Sequence, residues 1–357
     1  MVTTVTAQGT TRDPLPAAPV RRRWARIVVP LAVAVAVVLL AEFAVRAEAS
    51  HLPEPQRWNA PEAQVKYDQM KLLSRAHQTG GVVLLGTSLM DVGVDPALFA
   101  AQIGHRLPVY DASLAGGTLE SARWWYTHVV VPLLHPKIVI FGFTSRELNP
   151  NDPDAAKLGT QFFESPAVHQ LAGTESLMEL LDRTGDNVSY LFRYRKLLRK
   201  PSEALHHRTA LDIQRPVISP GGQATSFVTS GYNRSPLIPA FFRQTVTYRF
   251  TVGPSKVATV LGTLHDIKAS DASTLLVDMP ITREYIGLHP NGWADWAAYE
   301  QAMTSIVSQS GVAEMPAQLW TPPYFADPIH LNGAGARRLT GLLVTRIRGM
   351  LAAAAPG

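Results

Sequence analysis

Two stretches of this chain are almost wholly apolar yet only as long as a strand, Val82-Val83-Leu84-Leu85 and Lys137 to Phe143 (KIVIFGF), and Ser273 to Met279 (STLLVDM) reads as a further strand. A strand with one wet face alternates apolar and polar residues. A strand that does not alternate is covered on both faces, as parallel strands flanked by helices are. The segments between these runs carry helix signals. Asp95-Pro96 offers an N-cap followed by proline at the first helical position. Pro108-Val109-Tyr110-Asp111 reads as a short second strand, broken by Gly116-Gly117-Thr118 before a helix from about Leu119 to Leu134. Further helices are expected over 255–269, Trp293 to Ser308, and from an Asn332 cap to about Leu351, with a weak fifth strand at Val312 to Met315. Strand–helix alternation predicts an α/β fold with a parallel sheet and helices on both faces. Residues 81–351 then form one α/β/α domain, interrupted by a Pro-, Gly- and Ser-rich insertion over about 149–253.

A different constraint lies upstream. Ile27 to Val45 is an apolar run of about the length that crosses a bilayer core, with Glu42 its one charge. Arg12, Arg21, Arg22, Arg23 and Arg26 precede it against a single acid, Asp13, so residues 1–26 carry +4 of the chain's net +5. The remainder is nearly neutral. Positive charge before an apolar run predicts a cytoplasmic, disordered basic tail (1–26), a single-pass anchor (27–45), a stalk (46–80) and an extracytoplasmic domain. Ala47-Glu48-Ala49 also fits a small-x-small cleavage site, so secretion after cleavage near Ala49 is the alternative.

The charge distribution removes nucleic acid as a partner, since the pI near 9.4 comes from the tail. The absence of cysteine removes thiolate chemistry, disulfides and cysteine-ligated metal. An oxygen nucleophile remains. Ser88 stands at the end of the first strand, where open parallel sheets bind their ligands. Serine needs a base within hydrogen-bond reach. His330 supplies one, and Asp327, three residues earlier on the same loop, can orient it as a triad requires. This reading needs no metal and no cofactor.

These segments resemble the SGNH, or GDSL-like, hydrolases. Gly86-Thr87-Ser88-Leu89 is similar to the family's first block, Gly-Asp-Ser-Leu, with Thr in place of Asp. Asp111-Ala112-Ser113-Leu114-Ala115-Gly116-Gly117 resembles the second, whose glycine donates an N–H to the oxyanion. Asp327-Pro328-Ile329-His330 matches the fifth, Asp-x-x-His. The likeness covers roughly 80–145 and 255–350 and implies a three-layer flavodoxin-like SGNH fold, with Ser88 as nucleophile, His330 as base and Asp327 as its partner. It also implies that the N–H groups of Ser88 and Gly116 stabilise the oxyanion. The third block departs from the family's Gly-x-Asn-Asp: here it is Gly142-Phe143-Thr144-Ser145-Arg146-Glu147, with Thr144 where Asn is expected. Thr144 and Ser145 offer hydroxyl donors instead, and Arg146 and Gly117 are candidates to touch substrate.

The expected substrate is an acylated glycan of the cell envelope or another acyl ester, the acceptor being water (esterase) or a sugar hydroxyl (O-acyltransferase). The rival expectation is a catalytically inactive SGNH scaffold serving as a binding or assembly subunit of an envelope complex with partner proteins. Other features have plainer readings. Arg193, Tyr194, Arg195, Lys196, Arg199 and Lys200 form either a solvated basic face or a contact for anionic headgroups or glycan. Trp124-Trp125-Tyr126, and Trp293, Trp296 and Tyr299, fit core positions better than sugar platforms. His128 and His289 read as surface or structural histidines, His206-His207 lacks a carboxylate partner for metal, and Asn187 and Asn233 sit in glycosylation patterns.

Overall fold

The computed structural model describes residues 20–52, 55–200 and 217–354. The sheet has five parallel strands: β1 (Val82–Gly86), β2 (Val109–Asp111), β3 (Ile138–Phe143), β4 (Ser273–Asp278) and β5 (Ala313–Met315). Their order is 2-1-3-4-5, the doubly wound flavodoxin-like arrangement. β1, β2's last two residues and β3 are buried throughout, which is why their sequences do not alternate. Two helix groups cover the sheet. One joins Gly333–Ala354 to Pro96–Gln102 and Ser88–Gly93; the other joins Pro254–Ala269 to Leu119–Trp125 and Trp293–Ser310.

Local signals act as expected at two ends. The Asp95 carboxylate accepts the Leu98 N–H and starts Pro96–Gln102. Asn332 Oδ1 accepts from Ala334 and Gly335 at the head of the last helix. The Leu119–Leu134 expectation resolves into Leu119–Trp125, a π turn over Tyr126–Val130, and Val131–Leu134. Trp125 and Tyr126 are buried in the core, while Trp124 stacks on His128.

Two expectations change. The apolar helix begins at Val20, within the segment read as tail, and runs to Glu48; residues 1–19 lie outside the described residues. Its Ile27–Glu48 stretch is long and apolar enough to cross a membrane and its apolar part is not buried in the protein, so it is a candidate membrane span or signal sequence. From Trp58 onward the segment read as a stalk packs into the domain. Trp58, Ala63 and Met70 belong to the main core, with Trp58 edge-on to Trp125 at 4.9 Å. The Pro61–Arg75 helix buries Glu62, Gln64 and Lys66 as well as apolar residues. Its polar look hid this, because the buried charges pair with one another inside the protein.

Candidate active site

β1 and β3 come very close at their carboxyl ends, where Gly86 and Gly142 are register partners. A Cβ on Gly86 would stand 2.3 Å from the Gly142 carbonyl oxygen, so only glycine fits. The chain then turns through Thr87 into the Ser88–Gly93 helix, leaving Ser88 half-buried at its first position. The N–H groups of a helix's first turn lack intrahelical acceptors.

Ser88 Oγ lies 2.9 Å from His330 Nε2, and His330 Nδ1 lies 2.7 Å from Asp327 Oδ2. The other Asp327 oxygen accepts the backbone N–H groups of Ile329 and His330 at 3.0 and 2.9 Å. One carboxylate therefore shapes its own loop and orients the ring above it. Burial by itself pushes the Asp327 carboxyl up, but His330 and these N–H donors outweigh it and hold it below the usual carboxylate range. The loop is pinned from outside too: Thr282 donates its N–H and hydroxyl to the Pro328 carbonyl.

The insertion closes over the same loop. Asn233 N–H donates to the Ala326 carbonyl, Gly333 N–H to Val228, and the Phe227 ring sits 5.3 Å from the His330 ring. Nothing in the insertion's sequence pattern pointed to this.

Gly116 adopts φ +69°, a left-handed turn against Leu158. Among the described residues no acceptor takes its N–H, whereas the Gly117 N–H is spent on the Leu114 carbonyl. Gly117 therefore shapes the turn and has no N–H left for substrate.

The third-block candidates are placed differently from their expectation. Thr144 and Ser145 are fully buried. The Ser145 hydroxyl meets Tyr285 Oη at 2.9 Å and His289 Nε2 at 3.0 Å, facing the core between β3 and the Arg283–Leu288 helix. Arg146 is engaged by Asp152 at 2.9 Å and by Asp154 at 3.5 Å, which anchors the Pro153–Phe163 helix. The reason is local. The turn after β3 is capped by Glu147, whose carboxylate accepts the Thr144 N–H at 3.0 Å and the Thr87 hydroxyl at 2.8 Å. Glu147 thus ties the ends of β1 and β3 together beside Ser88.

A second device supports the site from below. Lys66 is completely buried and its ammonium reaches Asp91 Oδ1 (2.6 Å), Glu62 (3.0 Å) and the Ser113 carbonyl. Glu62 also accepts the Ala115 N–H. Asp91 lies on the Ser88 helix, and Ser113 and Ala115 lie in the turn that presents Gly116. Burial alone would lower the Lys66 ammonium's pKa, but Asp91, Glu62 and Asp111 outweigh it and keep the ammonium charged. Three acids around one ammonium push back on each other. Burial first, and then Glu62, drive Asp91 well above the usual range, and burial pushes Asp111 up to about 6. A lysine in a polar helix gave no sequence sign of this role.

No family model and no curated protein matches the sequence. Several solved structures are similar to this chain, among them esterases and one GDSL-like lipase. An acetyl xylan esterase aligns over 74% of this chain and 98% of its own, at 10% identity and TM-score 0.38. TesA aligns over 75% and 98%, at 11% identity and TM-score 0.36. A GDSL-like lipase from Bacteroides thetaiotaomicron aligns over 80% and 98%, at 8% identity and TM-score 0.35. At these scores the likeness decides nothing about residue roles, which rest on the side-chain geometry.

A cleft of about 250 Å³ lies elsewhere, lined by Gly81, Val82, Pro108 and Val109. It opens at the amino ends of β1 and β2, the opposite end of the sheet from Ser88.

Proposed function

We propose that this chain is an SGNH-type serine esterase or O-acyltransferase, anchored by the Ile27–Val45 segment and acting on acyl esters of envelope glycans outside the cytoplasm. The observation that carries the reading is the unbroken hydrogen-bonded relay Ser88–His330–Asp327 at the carboxyl end of β1. Ser88 Oγ attacks the ester carbonyl carbon while His330 Nε2 takes its proton. Negative charge gathers on the carbonyl oxygen, where the N–H groups of Ser88 and Gly116 are the candidate donors. His330 then passes the proton to the departing alkoxide, leaving an acyl group on Ser88. In the second half, His330 deprotonates water or a sugar hydroxyl, which takes the acyl group and restores the serine. Asp327 stabilises the imidazolium in both halves.

The 2.9 Å contact between Ser88 and His330 favours this over the inactive-scaffold reading, which a separated pair would have supported. The test is turnover of an activated acetyl ester by the full chain, with and without glycan acceptors, against Ser88→Ala. Expected is release of the leaving group that disappears in the variant. Acyl transfer to the glycan identifies the transferase; release unaltered by any acceptor identifies the esterase. Equal rates in both proteins would reject the proposal.

A further inference from the structure

The Leu177–Val188 helix turns the wrong face to water. Leu177, Met178, Leu181 and Val188 share one side at helical spacing and are 70, 69, 54 and 72% exposed. Its other side carries Glu179, Asp182, Arg183 and Asp186. Each is paired within the protein: Glu179 with His169, Arg183 with Glu175, and both aspartates with Arg195. A helix in water keeps its charges outward and hides its leucines; this one does the reverse.

What lies beside it is the end of the apolar N-terminal helix. The Glu42 carboxylate accepts the Ser189 hydroxyl at 2.8 Å and the N–H groups of Tyr190 and Leu191 at 2.8 and 3.0 Å, capping the short Tyr190–Arg193 helix that follows. The Arg46 guanidinium covers the Tyr190 ring at 4.9 Å. The one charge inside the apolar run thus docks the exposed-leucine helix where that run ends. Next along the chain stand Arg193, Lys196, Arg199 and Lys200.

We propose that Leu177–Val188 lies in the surface of the same bilayer that the Ile27–Val45 segment crosses, with its leucine face among the acyl chains and the basic residues after it at the anionic headgroups. This rests on reading Ile27–Val45 as a membrane span. The occupant of the apolar face is lipid, because Val188 adjoins the Ser189–Leu191 segment that holds Glu42, and Leu39, Leu40 and Phe43 around Glu42 are themselves exposed. The docked helix would hold the domain close to the membrane, giving the active site access to substrates there.

The cysteine-free chain makes the test direct. Single spin labels are placed in the full-length protein through Val35→Cys, Leu181→Cys, Val188→Cys and, as an aqueous reference, Lys268→Cys. The proteins are reconstituted in nanodiscs of phosphatidylcholine with a minority of phosphatidylglycerol. Accessibility to oxygen relative to a nickel chelate reports depth. Expected is a deep label at position 35, labels at 181 and 188 with an oxygen-to-nickel ratio several-fold above that at 268, and an aqueous label at 268. Labels at 181 and 188 as nickel-accessible as that at 268, with position 35 deep, would overturn the interfacial helix and leave the anchor standing. Labels at 181 and 188 shielded from both reagents would mean a protein, such as a second copy, covers the face, and would overturn it too. A nickel-accessible label at 35 would remove the anchor and the interfacial helix with it.

Discussion

Asp327 and His330 are joined twice over, by a 2.7 Å side-chain bond and by the backbone N–H of His330 on the second carboxylate oxygen, which also accepts the N–H of Ile329. The carboxylate is both the ring's partner and the frame of its loop. Asp327→Asn places an amide where Nδ1–H donates and favours the wrong imidazole tautomer. Ester turnover is expected to fall by about 10³–10⁴-fold. Thermal unfolding should still be cooperative, so steady-state kinetics beside a melting curve separates lost chemistry from lost fold.

Glu147 bridges Thr87 and Thr144 across the ends of β1 and β3. Glu147→Ala leaves a buried hydroxyl and a buried N–H without their acceptor. A stability loss of about 1–3 kcal/mol is expected in urea titration. The rate constant for turnover should fall as well, because Ser88 follows Thr87 directly. A variant that loses stability with an unchanged turnover rate would confine Glu147 to structure.

Lys66→Met removes the one ammonium among Glu62, Asp91 and Asp111 and leaves buried acids unpaired. The expected cost is about 3–5 kcal/mol. Adding Asp91→Asn should restore part of it. Equilibrium denaturation of the single and double variants gives the comparison, and equal stabilities for the two would contradict the coupling.

Asp111 releases its proton only at about pH 6 in the folded chain, against 3.8 as its ordinary value. Between those pH values the folded chain holds a proton that the unfolded chain has given up, so Asp111's contribution to stability declines as pH rises through that window. Asp111→Asn cannot titrate. Its stability against pH should be flatter than wild type between about pH 4 and pH 6, measured by denaturant titration at a series of pH values.

The parallel sheet was legible because buried strands leave an unmistakable record: Val82–Leu85 and Lys137–Phe143 have no alternation to misread. Ser88, Asp327 and His330 stood out only in combination, because the serine ends the first strand and Asp-x-x-His immediately precedes the last helix. Side chains that act through burial left no such record. Lys66 and Glu62 look like surface residues of a polar helix, and only the folded chain puts them under the Ser88 helix. Thr144 and Ser145 matched a position in a motif, yet the turn after β3 directs Ser145 into the core toward Tyr285 and His289. Phe227 reaches His330 from a Pro- and Gly-rich insertion with no periodicity to read.

The most direct measurement is covalent labelling of the full-length protein in detergent with a fluorophosphonate, read by intact mass and peptide mapping. One adduct at Ser88 is expected, absent from Ser88→Ala and strongly slowed in His330→Ala. Folded protein whose Ser88 stays unlabelled, under conditions that fully label a known serine hydrolase, would contradict the assignment of Ser88 as nucleophile.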